Sequence, residues 1–139
     1  MRVMGLDVGT RTIGVAVSDA LGYTAQGVEV IRRRDLLKDL ARLEELMVAY
    51  QVQSLVVGIP KNMNGTYGPS AEEARRFCQV LRERFPVPVY EEDERLTTVA
   101  AEKTLLAANL SRRRRRQVID KVAATLILET FLARQAKRD

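Results

Sequence analysis

Three carboxylates occupy positions where a folded core would favour apolar side chains. Asp7 closes the segment Val3-Met4-Gly5-Leu6-Asp7 and shares a period-2 face with Val3 and Gly5. An unpaired carboxylate at the end of an interior strand costs several kcal/mol in effective terms. It is either a turn Asp bonded to the backbone of Thr10 or Arg11, or a metal ligand. Asp120 precedes Ala123, Ala124 and Ile127, so on a helix it lies on or beside the apolar stripe. A helix N-terminal Asp, favoured by the dipole, is the plainer alternative. The third place is the run Glu91-Glu92-Asp93-Glu94, four like charges at the end of a strand. Alternation puts Glu92 and Glu94 on one side and Glu91 and Asp93 on the other. Brought together by a sheet, these strand and helix ends make an acidic pocket for a divalent ion.

The rest of the composition narrows that chemistry. The 139 residues contain no His and one Cys, which removes His-dependent nucleophiles, His-metal sites, internal disulfides and Cys-rich zinc sites. Oxygen-only ligands select Mg²⁺ or Mn²⁺. Two such ions can activate water and stabilise the leaving oxygen of a phosphodiester. The charge pattern suits such a substrate. Of the formal charge of +5, all is carried by Arg112, Arg113, Arg114, Arg115 and Arg116, since the other Lys and Arg balance the Asp and Glu. A solvated helix turn is the bland reading of that run, but arginine suits bidentate phosphate contact. Arg32, Arg33 and Arg34 form a smaller cluster. With no signal segment and no apolar run near the ~18 residues of a spanning helix, the chain is expected in the cytoplasm and off membranes.

The elements that must position these groups follow from periodicity. Residues 2–8, 12–18 and 27–32 read as three strands of an antiparallel meander. Leu36, Leu40, Leu43 and Met47 then recur at helical spacing over 35–50. Ser54 to Ile59 is an apolar central strand, followed by a loop over 60–69 rich in Pro, Asn and Gly. Ser70 with Glu73 predicts a capping box opening a helix over 70–84, and residues 86–91 a strand entered through prolines. Thr97 or Thr98 is expected to cap a helix reaching 108, and a last long helix to run from the Arg run to 136. This order gives one α/β domain over 1–139 with a mixed five-stranded sheet and helices on both faces, the ribonuclease H-like architecture.

The motif-bearing residues resemble the YqgF (RuvX) family. Leu6-Asp7-Val8-Gly9-Thr10-Arg11-Thr12-Ile13-Gly14-Val15-Ala16 is similar to its opening block, and Val56-Val57-Gly58-Ile59-Pro60-Lys61-Asn62-Met63-Asn64-Gly65 to its central one. Asp93-Glu94-Arg95-Leu96-Thr97-Thr98 and Asp120-Lys121-Val122-Ala123-Ala124 with Ile127-Leu128-Glu129 resemble the third and fourth. The resemblance implies a ribonuclease H-like fold related to RuvC-type resolvases, and a link to 5′-end maturation of pre-16S rRNA or to Holliday junction resolution. It implies that Asp7, Glu94 and Asp120 are the catalytic, metal-binding acids. Glu94 is preferred to Asp93 because its side suits a shared pocket, and Glu91 and Glu92, outside the motif, are expected at the surface. Arg11, Lys61, Asn62, Asn64 and Arg95 are candidate nucleic-acid contacts beside the Arg run. Plainer roles are a turn for Asn64-Gly65 and an ion pair for Arg95. Cys78, among Ala74, Phe77 and Leu81, is a core residue.

Three function classes compete. The leading one is a metal-dependent nuclease on structured nucleic acid, pre-rRNA first and branched DNA second; a junction resolvase needs a two-fold dimer, whereas an RNA-processing nuclease can be a monomer. An actin-like ATPase or sugar kinase shares the Asp7-Val8-Gly9-Thr10 hairpin but needs two such domains. A non-catalytic ribosome assembly factor would use the arginines yet gain nothing from acids that repel phosphate.

Overall fold

In the computed structural model, which describes residues 1–96 and 112–138 and the side chains of 1–95 and 121–137, the strands are Val3–Val8 (β1), Thr12–Ser18 (β2), Ala25–Arg32 (β3), Ser54–Ile59 (β4) and Val89–Asp93 (β5). They form one sheet in the order β3-β2-β1-β4-β5. β1 pairs antiparallel with β2, and β2 with β3; β1–β4 and β4–β5 are parallel. This is the expected mixed sheet. Its centre is apolar on both faces: every residue of β4 is buried, as are the first five of β1.

The faces are covered differently. Helices Leu36–Ala49 (α1) and Pro69–Arg84 (α2) pack on one, their Leu40, Leu43, Phe77 and Leu81 against Leu6, Val15 and Val57. Helix Arg112–Arg138 (α3) covers the other, with Ala123, Ala124, Ile127 and Leu128 against Val3, Ala16 and Val56. The sheet receives α3 on a row of small residues, since Gly5 is paired with Ala16 and Ala16 with Gly27. A Cβ on Gly5 would lie 2.8 Å from Leu128 Cβ, and one on Gly27 2.7 Å from Lys121 Cγ. At the other end, Leu132 lies by Gly22 and the carbonyl of Met1. The helix therefore runs antiparallel to β1, with its C-terminal half over the start of β1 and its N-terminal half toward the Asp7 end.

Three boundaries differ from the sequence reading. β3 begins at Ala25, two residues earlier than expected, because Val17 and Ser18 still pair with Gln26 and Ala25 beyond a bulge at Val15/Ala16. β5 spans Val89–Asp93 rather than 86–91; its ladder with β4 starts at Val89, after both prolines, and runs to Ile59–Asp93. α2 opens at Pro69 with Gly68 as N-cap and no side-chain cap bond, so Ser70 is already inside the helix. Proline at the first helical position needs no N–H partner, which makes the Ser70–Glu73 box unnecessary. The helix expected to reach 108 lies outside the described residues.

Candidate active site

The C-terminal ends of β1 and β5 bring two acids to the same end of the sheet. Asp7 follows the Leu6–Val57 pair of the β1–β4 ladder, and Glu94 begins a 3₁₀ turn, Glu94–Leu96, directly after β5. Both are buried, Asp7 at 9% and Glu94 at 6% relative exposure. Asp7 lies opposite Gly14 on β2, and on its other side runs β4, where Gly58 pairs with Glu92. The absence of a side chain at Gly58 matters here. A Cβ there would meet Ile127, 2.9 Å from its Cγ1, and stand 3.2 Å from Glu94 Cγ. Gly58 thus leaves open, under Ile127 of α3, the space on β4 that the Glu94 side chain borders.

The acidic run is divided by strand alternation. Glu91 faces outward to Arg75 at 3.6 Å and Arg82 at 3.4 Å. Asp93 accepts from Arg95 Nη2 at 2.8 Å and from the Arg95 backbone N–H at 2.9 Å, with Lys61 Nζ at 3.9 Å. Glu92 and Glu94 turn under α3. The expectation that Glu92 is a surface residue is corrected: it is 2% exposed, and Arg134 Nη1 donates to its Oε1 at 2.6 Å. The pair ties α3 to β5, two residues from Glu94, beside the Tyr90–Phe131 ring contact at 5.1 Å. Removing Arg134 would leave a buried carboxylate uncompensated, which is the costly way to break such a pair.

The Arg95 hydrogen bond, outweighing partial burial, holds the Asp93 carboxyl below its ordinary range. A depressed folded pKa contributes stability that is present above the unfolded value, about 3.9, and lost as the pH falls through the folded one. Urea unfolding at pH 7 should therefore find wild type more stable than Asp93→Asn. The gap should shrink once the pH falls below about 4. A gap independent of pH would contradict this assignment.

The other acid lies on α3. This helix starts at Arg112, so Asp120 is roughly two turns in and beyond the reach of a terminal dipole effect. Its backbone is one turn before Ala124, whose carbonyl oxygen would lie 3.0 Å from a Cβ on Gly5. Given the direction of α3, that turn lies toward the Asp7 end of β1. The side chains of Asp120 and of Arg112 to Arg116 are outside the described ones. Among the described residues, no three acids gather as a metal-holding group. Asp7 and Glu94 offer hard oxygen donors, which fits a Mg²⁺- or Mn²⁺-like ion if a third acid joins them.

The candidate nucleic-acid contacts separate into two kinds. Arg11 is exposed in the β1–β2 turn. Lys61 and Arg95 flank Asp93, and Lys61 also lies 4.8 Å from the Tyr67 ring, which Arg75 approaches at 4.4 Å. Asn62 and Asn64 build their own loop: Asn62 Nδ2 donates to Thr66 Oγ1 at 2.9 Å, and Asn64 Oδ1 accepts from Thr66 Oγ1 at 2.6 Å. Arg95 Nη1 braces that loop on the Met63 carbonyl at 3.3 Å. Cys78 is fully buried, and burial pushes its thiol up to about 12, so it is a core residue without thiolate chemistry. Sequence reasoning missed the roles of Gly58 and Arg134; a glycine inside an apolar strand was the available signal for the first.

Comparison with known proteins agrees with this architecture. The family model described as "RuvX: Holliday junction resolvase" matches residues 1–134. A Moorella thermoacetica protein named "Putative pre-16S rRNA nuclease" is 63% identical over 134 residues, covering 96% of each chain. A Symbiobacterium thermophilum protein of the same name is 58% identical, covering 99% of this chain and 96% of its own. Thermus thermophilus RuvC, solved in complex with a Holliday junction substrate, superposes with a TM-score of 0.57 at 18% identity, covering 98% of this chain and 96% of its own. At that identity the likeness speaks for the RuvC-like, ribonuclease H-like fold.

Proposed function

The chain belongs to the RuvX family, and from that premise we propose that it is a divalent-metal-dependent nuclease that cuts phosphodiester bonds in structured nucleic acid, with the 5′ end of pre-16S rRNA as its substrate. The observation that carries the reading is the pair of buried acids, Asp7 and Glu94, at strand ends on the α3 side of the sheet, with side-chain-free Gly58 on the strand between them. A binding module gains nothing from burying acids that repel phosphate. The curated relatives carry the nuclease name.

Asp7, Glu94 and Asp120 would hold Mg²⁺ or Mn²⁺. Bound there, the ion supplies charge neutralisation for the phosphodiester and Lewis-acid assistance to water attack. The chain's own part is to hold Asp7 and Glu94 buried at the strand ends, with Asp120 roughly two turns into α3. Asp93, neutralised by Arg95 and Lys61 on the opposite side of β5, adds no free charge to the pocket. Arg11 is available to the substrate backbone. The arginines at the start of α3 sit at the positive end of the helix dipole, where cations are disfavoured and a phosphate offsets the cost. No described helix is long and apolar enough to cross a membrane.

Labelled pre-16S 5′ leader RNA and a four-way DNA junction, incubated with purified protein in Mn²⁺, Mg²⁺ or EDTA, test the proposal. Cutting of the RNA in metal and none in EDTA is expected. Cutting of the junction alone, by a two-fold dimer, would replace the RNA reading with a resolvase. Tight binding with no cutting would leave an assembly factor.

A further inference from the structure

We propose that the groove across the β1 end from Asp7 holds an unpaired nucleotide segment of the substrate, adjoining the phosphodiester that is cut; this rests on the nuclease reading. Successive residues of a strand face opposite ways. Asp7 turns toward α3, and Val8, about 3.8 Å away along the chain, lines a groove of about 470 Å³ between the β1–β2 turn, α1 and α2. A strand leaving the acidic pocket over Gly9 and Thr10 enters it directly.

The lining suits a nucleotide. Its floor is apolar, made by Val8, Phe77, Val80 and Leu36, and Leu36 is left 43% exposed there. Its rim carries Arg34 and Arg76 with Asp35 and Glu73. Arg33, the middle of the three-arginine cluster, serves the fold. Its Nη1 donates to the Gly9 carbonyl at 2.8 Å, its Nε to buried Asp39 at 3.2 Å, and its guanidinium lies 5.3 Å from the Phe77 ring centre. That clasp fixes the turn against α1. Arg34 stays exposed, and among the described residues Arg76 has an acid only at the 4.0 Å limit of an ion pair, Glu72. Asp35 caps α1 through the Lys38 N–H at 2.9 Å, with the Lys38 ammonium 3.9 Å from its other oxygen. An apolar floor takes a base face, guanidinium groups take phosphate, and carboxylates accept from base amino groups. The volume is that of a small-ligand site. It admits a nucleotide or two, and a base inside a duplex cannot present its face to it.

Anisotropy binding in EDTA, where nothing is cut, tests this with the full chain. One probe is a blunt RNA hairpin. The other is the same hairpin with an unpaired extension of about eight nucleotides, within the reach of single-strand grooves. Wild type should bind the extended hairpin about tenfold tighter, through the Arg34 and Arg76 phosphate contacts that the blunt hairpin cannot make. The Arg34→Ala/Arg76→Ala protein should lose that preference, and its log–log salt slope on the extended hairpin should fall by about 1.4, two single-strand phosphate contacts. Its blunt-hairpin binding and melting temperature should be unchanged. Equal wild-type binding of the two hairpins, or a preference that survives the double substitution, overturns the groove and leaves the nuclease reading standing. Binding of neither hairpin, in EDTA or with Ca²⁺ added, overturns the nuclease reading itself.

Discussion

Asp7→Asn is expected to lower metal-dependent cutting by at least about a hundredfold, the scale on which one electrostatic group at a reacting centre is felt, while the protein still folds. The two effects part because of where Asp7 lies. It is 9% exposed at the end of β1, level with Gly14 and one strand from Gly58, so an isosteric amide fits the same space. What is lost is the charge that would hold the proposed ion. Glu94→Gln should behave alike, because Glu94 faces the same pocket. Asp93→Asn should not. Its carboxylate is committed to Arg95 and Lys61 on the other face of β5, so most activity should survive a modest loss of stability. A single-turnover assay on one RNA, run for the three variants beside their melting curves, separates these outcomes. Equal loss in Asp93→Asn, or full activity in Asp7→Asn, would move the chemistry away from the β1 end.

The neighbours Asp93 and Glu94 show how far the sequence can be read. Period-2 alternation alone assigns them to opposite faces, and the structure keeps that assignment, with Ile59 opposite Asp93 in the ladder. The same rule places Glu92 beside Glu94, yet it does not say that Glu92 is buried. Burial of an acid depends on a cation reaching it, and Arg134 is 42 positions away, on a helix whose placement only the fold reveals. Asp39 is a parallel case: it is 3% exposed, bonded to Arg33 and the Arg34 backbone, in a helix whose apolar spacing was plain from the residues. Local patterns therefore disclosed the five strands and the three described helices, and marked Asp7 and Glu94 as acids at strand ends. Long-range charge pairs stayed hidden, as did the glycines whose only role is to be absent where another element passes. The start of α2 went astray for a local reason, since Pro69 at the first helical position competes with a Ser-based cap and wins.

Gly5→Ala is the larger test of those glycines, because its new methyl group would meet backbone. The added Cβ would lie 3.0 Å from the Ala124 carbonyl oxygen and 2.8 Å from Leu128 Cβ, neither of which can rotate away. The helix must lift from the sheet, and overpacking of this kind costs about 1–3 kcal/mol. For a domain of this size that is a fall in melting temperature of roughly 3–12 °C. Gly58→Ala differs in kind. Its Cβ would meet the end of the Ile127 side chain, which can change rotamer, and Glu94 Cγ at 3.2 Å. Its stability should fall less, while Glu94 is pushed from its seat and cutting declines out of proportion to the melting shift. The two variants thus load different parts of the proposed site: Gly5→Ala displaces the helix on which Asp120 lies, and Gly58→Ala displaces Glu94, just after β5. Calorimetry and the single-turnover assay, run well below either melting temperature, should find Gly5→Ala the less stable of the two and both impaired in cutting. A Gly5→Ala protein that melts like wild type would mean that α3 does not ride on β1 as closely as these distances require.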